Sequence, residues 1–243
     1  LFRSDFGTFQ MLAARSAGKT GQLVPLYRRL MSDQITPVLA YRRLVRPDDR
    51  LAPSFLFESV VGGERIGRYS YLGAQPISEI IARGYDVEYR DALDPSKNRK
   101  YRSDDPLLEM DRITKAWTLV SLPGVRDLPD FTGGWVGYAG YDTVRYLEGE
   151  KLPSPPPDDR HLPDLHMQLY RDVVVFDHVQ KTVLVITHVL LETATPVKES
   201  YDAGVARLDA LVRRIESVPT QSGYPELPVG HIDLRDRKST RLN

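Results

Sequence analysis

Apolar residues in four stretches recur three or four positions apart, the spacing that places them on one face of a helix. Each stretch begins near a residue that can cap a helix or a proline suited to a first turn, as Thr36-Pro37 does. These patterns predict helices over residues 6–16, 37–45, 105–117 and 195–217.

Other stretches are short and rich in β-branched and aromatic residues, and they predict strands. The strongest hairpin pattern joins LYRDVVVFDH to KTVLVITHVLL through a short polar turn. A second hairpin joins SEIIAR to DVEYRD through Gly84, and SFLFESV and RYSYLG predict two more strands. LVPLYRRL also predicts a strand, in which Pro25 indicates an edge position or a strand start.

Hairpins mixed with helices, without strict alternation of strand and helix, indicate an α+β fold. We expect antiparallel strands and hairpins to pack with several helices in a layered sandwich. The proline-rich segment KLPSPPPDDRHLPDL predicts a loop, and the pattern of elements ends after Val218. Residues 1–218 are therefore predicted to form the folded domain, and residues 219–243 an irregular tail.

The amino-acid composition argues against several classes of binding partner and site. The 243 residues are enough for one large domain or two small ones. The 33 basic side chains equal the 33 acidic ones, so no net field draws the chain to nucleic acid or to an anionic membrane. Cysteine is absent, which excludes disulfides, zinc–thiolate sites and cysteine nucleophiles. No apolar run approaches the roughly 20 residues of a membrane span. We expect neither a nucleic-acid partner nor a membrane partner.

Familiar catalytic motifs are incomplete. AGKT at 17–20 resembles the end of a phosphate-binding loop, but Ala13 occupies the position that requires glycine. The five histidines lack the spacing of metal ligands, and no G-x-S-x-G segment supports a serine nucleophile. We predict no catalytic and no metal-binding residues in the chain.

The segment SFLFESV places a carboxylate inside a run that otherwise predicts a buried strand. Alternation puts Phe57 and Ser59 on one face and Glu58 on the other, with apolar neighbours on both faces. A buried carboxylate requires a partner, so we expect Glu58 to meet either an internal cation, Arg65 or Arg68, or the ammonium group of a ligand. Glu58 and Ser59 can serve one ligand only if one acts through its backbone or the strand bulges there.

The segment TGGWVGYAGYD interleaves glycine with aromatic residues. Glycines within a strand indicate close approach of another backbone or tight packing between layers. We expect tight packing here.

Taken in order, LVPLYRRLMSDQITPVLAYRRLV, PSFLFESV, IGRYSYLGAQP, FTGGWVGYAGYDTVRYLE and DVVVFDH resemble the N-terminal region of anthranilate synthase component I, the large subunit of that enzyme. The resemblance covers about residues 8–218. It implies a protein that converts chorismate and glutamine-derived nitrogen or ammonia into anthranilate and pyruvate during tryptophan synthesis. It further implies Mg²⁺ and a chorismate-binding domain that has no counterpart in this chain, so we expect a truncated and inactive fragment.

The resemblance also assigns roles to residues. Glu58 and Ser59 match a signature that forms one wall of the family's feedback site for L-tryptophan, and Arg68 is our assignment for a nearby basic residue. The second wall belongs to the absent domain, so the chain would carry half of the site. The partner implied is the glutamine amidotransferase subunit, component II. The style of the match suggests a plastid location, with a cytoplasmic location as the alternative.

Two other interpretations stay open. The related aminodeoxychorismate synthase component I shares the implied fold, although LVPLYR and TPVLAY favour anthranilate synthase. A free-standing, non-catalytic amino-acid-binding module is the second. The last residues, RKSTRLN at 237–243, match nothing expected in the family, and we interpret them as non-native sequence.

Overall fold

A computed structural model describes residues 5–15, 21–45, 52–61, 65–120, 128–153, 158, 160–192 and 195–217. The side chains of residues 15, 59–61, 65, 66 and 150 are not described. The AGKT segment, the Gly62-Gly63 pair between SFLFESV and RYSYLG, and the predicted tail at 219–243, including 237–243, lie outside these ranges. Within them, no helix is both long enough and apolar enough to cross a membrane.

Two helices begin at the predicted capping side chains. Helix α1 spans Phe6–Arg15, with the Asp5 carboxylate accepting from the Thr8 amide at 2.8 Å. Helix α2 spans Pro37–Leu44 and is capped by the Thr36 hydroxyl. The remaining helices are α3 (Glu109–Thr114), α4 (Val144–Glu148) and α5 (Val197–Glu216). The predictions for α1, α2 and α5 are therefore confirmed.

The helix predicted over 105–117 is shorter than expected. Asp105 caps a 3₁₀ turn at Pro106–Leu108, and α3 then ends at Thr114. The chain next forms a short strand that pairs in parallel with the strand beginning at Gln22, and the Thr118 amide donates to the carbonyl of Gly21. The residues after α3 thus pair with a strand that is distant in the sequence. Local periodicity cannot predict such a pairing.

The described strands form two sheets. Their bounds are β1 (Gln22–Met31), β2 (Ser54–Val61), β3 (Arg65–Ala74), β4 (Ser78–Arg83), β5 (Asp86–Asp91), β6 (Arg99–Arg102), β7 (Thr118–Leu119), β8 (Gly134–Ala139), β9 (Leu165–Tyr170), β10 (Asp172–Asp177) and β11 (Thr182–Leu191). In the described part of the chain, one sheet has six strands in the order β2-β3-β10-β11-β1-β7, and the other has five in the order β6-β5-β4-β9-β8. All pairs are antiparallel except β1 with β7.

The two sheets and the helices form layers, which confirms the α+β prediction. Helices α1, α2 and α5 cover one face of the six-stranded sheet, with Leu72, Val185 and Leu208 in the core between them. The other face packs against β8 and β9 of the five-stranded sheet through Val136, Tyr170 and their neighbours. Burial of these apolar faces is the main stabilising term of such a sandwich.

The hairpin prediction is right for β10 and β11, but the run LYRDVVVFDH is not one strand. It divides at Arg171, where the chain leaves β9 in one sheet and enters β10 in the other. Periodicity cannot reveal this change, because both strands are apolar and only one residue separates them.

Two glycines of TGGWVGYAGYD are tightly packed, Gly133 against the other sheet, as predicted, and Gly137 against the backbone of the neighbouring strand. A Cβ atom on Gly137 would overlap the carbonyl oxygen of His166 in β9. At Gly133, a Cβ atom would lie 2.9 Å from the imidazole ring of His188 and from the carbonyl oxygen of Tyr170. Each glycine therefore permits an approach that any larger residue would obstruct.

Candidate functional site

Glu58 lies on an exposed edge rather than between apolar layers, so its predicted burial is wrong. Strand β2 is the outermost strand of the six-stranded sheet and pairs only with β3 among the described strands. Glu58 is exposed, and 52% of the surface of its neighbour Phe57 is accessible to solvent. An edge strand buries its side chains less than a central strand does, and the apolar run alone did not distinguish the two.

The strand bulges where a joint role for Glu58 and Ser59 requires it. Glu58 pairs with Ser70, whereas Val60 pairs with Ile66, so the register between β2 and β3 shifts around Ser59. A register shift interrupts the regular alternation of side chains along a strand. The geometric condition for Glu58 and Ser59 to serve one ligand is therefore met in the backbone.

Within the described residues, Glu58 forms no hydrogen bond and no ion pair. Of the two internal partners considered, Arg68 is engaged elsewhere and the side chain of Arg65 is not described. Glu58 faces Ser70 across the strand pair, and the Ser70 hydroxyl lies 2.7 Å from Nε2 of His178. Glu58 is therefore the cross-strand partner of a buried serine whose hydroxyl is paired with an imidazole, whereas Glu58 itself is exposed to solvent.

Arg68 is held by Asp177 at the end of β10. Its Nη2 and Nε donate to Oδ2 of Asp177 at 2.9 and 3.2 Å, while Oδ1 accepts from the amides of Val179 and Gln180 at 3.0 Å each. Burial alone would raise the pKa of Asp177, but these hydrogen bonds outweigh it and hold the pKa below its usual value. The Arg68 side chain remains 47% exposed.

Aromatic rings lie on the neighbouring surface of β2 and β3. The rings of Phe55 and Phe57 are 5.1 Å apart, and those of Tyr69 and Tyr71 are 5.9 Å apart. The guanidinium of Arg68 lies 4.8 Å from the ring centre of Tyr69. These rings and Glu58 belong to the same edge of the sheet, but alternation along the paired strands places Phe57 and Tyr71 on the face opposite Glu58 and Ser70.

Sequence reasoning missed Ser70, Asp177 and His178 as neighbours of this edge. They come from β3 and from the turn of the β10–β11 hairpin, and strand pairing brings them to β2. The only advance signal was the position of His178 at the predicted hairpin turn. Local sequence patterns do not specify that the hairpin pairs with β3.

The residues present do not fit a metal site. In the part of the chain that the structure describes, no three His, Asp or Glu side chains are grouped so that they could hold an ion. No step is therefore assigned to Mg²⁺ on these residues.

The structure also contains a large cleft that lies away from Glu58. A cleft of about 960 Å³ opens between the two sheets near β1 and β7, bounded by α5 on one side. None of Glu58, Ser59 and Arg68 lines it. Glu58 and Ser59 on β2 and Arg68 on the paired strand β3 therefore belong to one edge of the sheet, outside this cleft.

The known proteins that this chain resembles are anthranilate synthase alpha subunits or component 1 chains. The chain is 45% identical over 237 residues to the chloroplastic anthranilate synthase alpha subunit 2 of Arabidopsis thaliana, and 46% over 226 residues to alpha subunit 1 of Oryza sativa subsp. indica. It is 33% identical over 192 residues to anthranilate synthase component 1 of Pseudomonas aeruginosa. These matches cover 95%, 90% and 79% of this chain but 37%, 39% and 36% of the relatives.

No protein-family model matches the chain. Among solved structures, anthranilate synthase component I from Streptococcus pneumoniae TIGR4 is similar, with 22% identity, a TM-score of 0.44, and coverage of 79% of this chain and 38% of that one.

Proposed function

Because this chain belongs to the anthranilate synthase component I family, we propose that it is the regulatory and scaffold part of such a large subunit. The complete protein would convert chorismate and glutamine-derived nitrogen or ammonia into anthranilate and pyruvate in tryptophan biosynthesis. The supporting observation is 45–46% identity to plant alpha subunits along 90–95% of the chain. Because the chain spans 37–39% of those relatives, we propose that it is not catalytic alone and that Mg²⁺ binds outside it.

The compared relatives are named for anthranilate synthase, which favours this activity over that of aminodeoxychorismate synthase. We propose that the complete protein works with the glutamine amidotransferase subunit, component II. The plant relatives are described as chloroplastic, which supports a plastid location for this protein.

Half of an L-tryptophan feedback site is assigned to Glu58, Ser59 and Arg68. Glu58 has no ion-pair partner among the described residues, so its carboxylate is available to the ligand's ammonium group. Arg68, positioned by Asp177 and half exposed, would bind the ligand's carboxylate.

Inhibition by tryptophan requires two states of the complete protein that the ligand distinguishes. A ligand held between this edge and a wall from outside the chain would fix the angle between the two parts. The isolated chain then supplies only one wall, so we expect weak or undetectable tryptophan binding by calorimetry. Tight binding to residues 1–243 would contradict a shared site.

The test is Glu58→Ala and Ser59→Ala, each in the full-length polypeptide assembled with its amidotransferase. The inhibition constant for tryptophan should rise about tenfold or more, because a hydrogen bond to a charged group contributes about 1.5–3 kcal/mol. Turnover without tryptophan should stay unchanged. Glu216→Ala, which removes an exposed acid at the end of α5, is the matched control. Unaltered inhibition in both variants would end the assignment.

A further inference from the structure

The cleft between the sheets is built from distant parts of the chain. Its floor includes Leu23 of β1 and His188 of β11, and its walls include Tyr89 of β5 and Ala203 of α5. Its volume of about 960 Å³ is at the upper end of the range typical of small-molecule sites. A cleft of this size between two layers can hold a small ligand.

Two arginines line the cleft and share one carboxylate. Arg171, at the crossing from β9 to β10, and Arg207 of α5 lie 3.7 and 3.5 Å from Oδ1 of Asp172. Asp172 also accepts a hydrogen bond from the Thr187 hydroxyl. Burial lowers the pKa of Arg207, and the charge of Arg171 lowers it further. A single carboxylate thus serves two guanidinium groups.

Arg171 has donors without acceptors. Among the described residues its guanidinium makes no hydrogen bond, and its Nε is shielded from solvent. Asp91, a nearby acid lining the cleft, already accepts from the amides of Leu93 and Asp94 and from the Tyr89 hydroxyl. A shielded charged donor without an acceptor is costly, and a planar carboxylate matches the fork of an arginine.

The other charged side chains at the cleft do not supply that acceptor. They lie at its solvent-exposed border, where water and salt screen them. They are Lys97, Asp111, Lys115, Glu192 and Glu199.

Aromatic and apolar groups line the rest of the cleft. Trp117 and Trp135 both border it, together with Tyr89, Leu119 and Leu169. The indole N–H of Trp135 has no hydrogen-bond partner within the described residues. Flat rings of this kind stack against a planar ligand.

We propose that the cleft binds a small aromatic monocarboxylate, with its carboxylate on Arg171 and Arg207 and its ring against Trp117 and Trp135. This site is separate from the Glu58 edge, shares no residue with it, and does not depend on the function proposed above.

Benzoate binding to the 243-residue chain, followed by intrinsic tryptophan fluorescence, tests the proposal. Trp117 and Trp135 are the two tryptophans of the chain, so the signal reports on the cleft alone. Saturable quenching is expected, and Arg171→Gln should weaken binding about tenfold or more, as loss of a charged hydrogen bond does.

Arg207→Gln should weaken benzoate binding likewise, but Arg207 also donates hydrogen bonds to the Thr187 hydroxyl and the His188 carbonyl oxygen. Arg171→Gln is therefore the primary variant, with circular dichroism to verify folding.

Two further variants complete the test. Ala203→Leu adds bulk at an exposed helical position that lines the cleft and should abolish binding without changing any charge. Arg145→Gln, which alters an arginine paired with Asp142 away from the cleft, should bind benzoate as the unaltered chain does. Absence of saturation, equal affinity for benzyl alcohol or for inorganic phosphate, or unchanged binding in Arg171→Gln or Ala203→Leu would each overturn the proposal.

Discussion

At one edge of the six-stranded sheet, β2 presents Glu58 to solvent beside a single neighbouring strand. At the opposite end, β1 and β7 contribute to a cleft whose remaining walls come from the other sheet and from α5. The first region is a short local motif on an open surface, and the second is a concavity that exists only in the folded molecule. The fold should therefore tolerate changes at the first region and resist them at the second.

The largest effect is expected at Gly133, which lines the cleft. A Cβ atom there would lie 2.9 Å from the buried His188 ring and from the carbonyl oxygen of Tyr170. Gly133→Ala should lower the free energy of unfolding in urea by about 2–3 kcal/mol, because overpacking forces neighbours to move.

Gly84→Ala is the control, since nothing lies within 4 Å of its added Cβ and only its positive φ of 54° is strained. Its cost should be about 1 kcal/mol. Equal costs would show that the cleft wall is looser than the structure indicates.

A somewhat smaller effect is expected at Asp177, near the β2 edge but buried beneath it. Asp177→Ala leaves the amides of Val179 and Gln180 without acceptors and releases Arg68. We expect a loss of about 2 kcal/mol in urea unfolding, since Arg68 is half exposed and its ion pair is partly screened. A loss below about 0.5 kcal/mol would contradict a structural role for this contact.

Asp177 also predicts acid sensitivity. Its pKa is lower in the folded state than in the unfolded state, so its stabilising contribution is complete above the unfolded value of about 4. The contribution should disappear as pH falls below that value through the folded pKa. Unfolding of Asp177→Asn should therefore depend less on pH below about 4 than unfolding of the original chain. Parallel pH profiles for the two proteins would contradict this.

His188, on the floor of the cleft, predicts a different pH window. Burial lowers the pKa of its imidazole, which lies 3.1 Å from the Arg171 carbonyl oxygen and 3.2 Å from the Thr132 hydroxyl. Because the unfolded chain takes up the proton first, stability should fall as pH drops below about 6.5, by at most about 1.4 kcal/mol per pH unit. His188→Gln should remove this slope in urea unfolding at pH 5–7. A slope that persists in the variant would place the titrating group elsewhere.

Local sequence patterns predicted most of the helices and strands but not which of them pack or pair with one another. Helix caps at Asp5 and Thr36 and the β10–β11 hairpin followed from short-range chemistry. The division at Arg171, the early end of α3 and the edge position of β2 depend on pairing between distant segments. For the same reason, the motif at Glu58 was visible in the sequence whereas the arginines of the cleft were not. Arg171 and Arg207 are far apart in the chain and meet only across Asp172.

The smallest effect is expected at Glu58 itself, and it sharpens the comparison most. Glu58 is exposed and has no hydrogen bond or ion pair among the described residues. Glu58→Gln should therefore change the free energy of unfolding by no more than about 0.5 kcal/mol, as surface substitutions usually do. Phe57→Gln, at the adjacent exposed position, is the control for general sensitivity of β2. A loss above about 1 kcal/mol for Glu58→Gln alone would reveal an internal partner for the carboxylate. A carboxylate that contributes nothing to the fold is free to bind a ligand, and this is the property that the proposed tryptophan site requires.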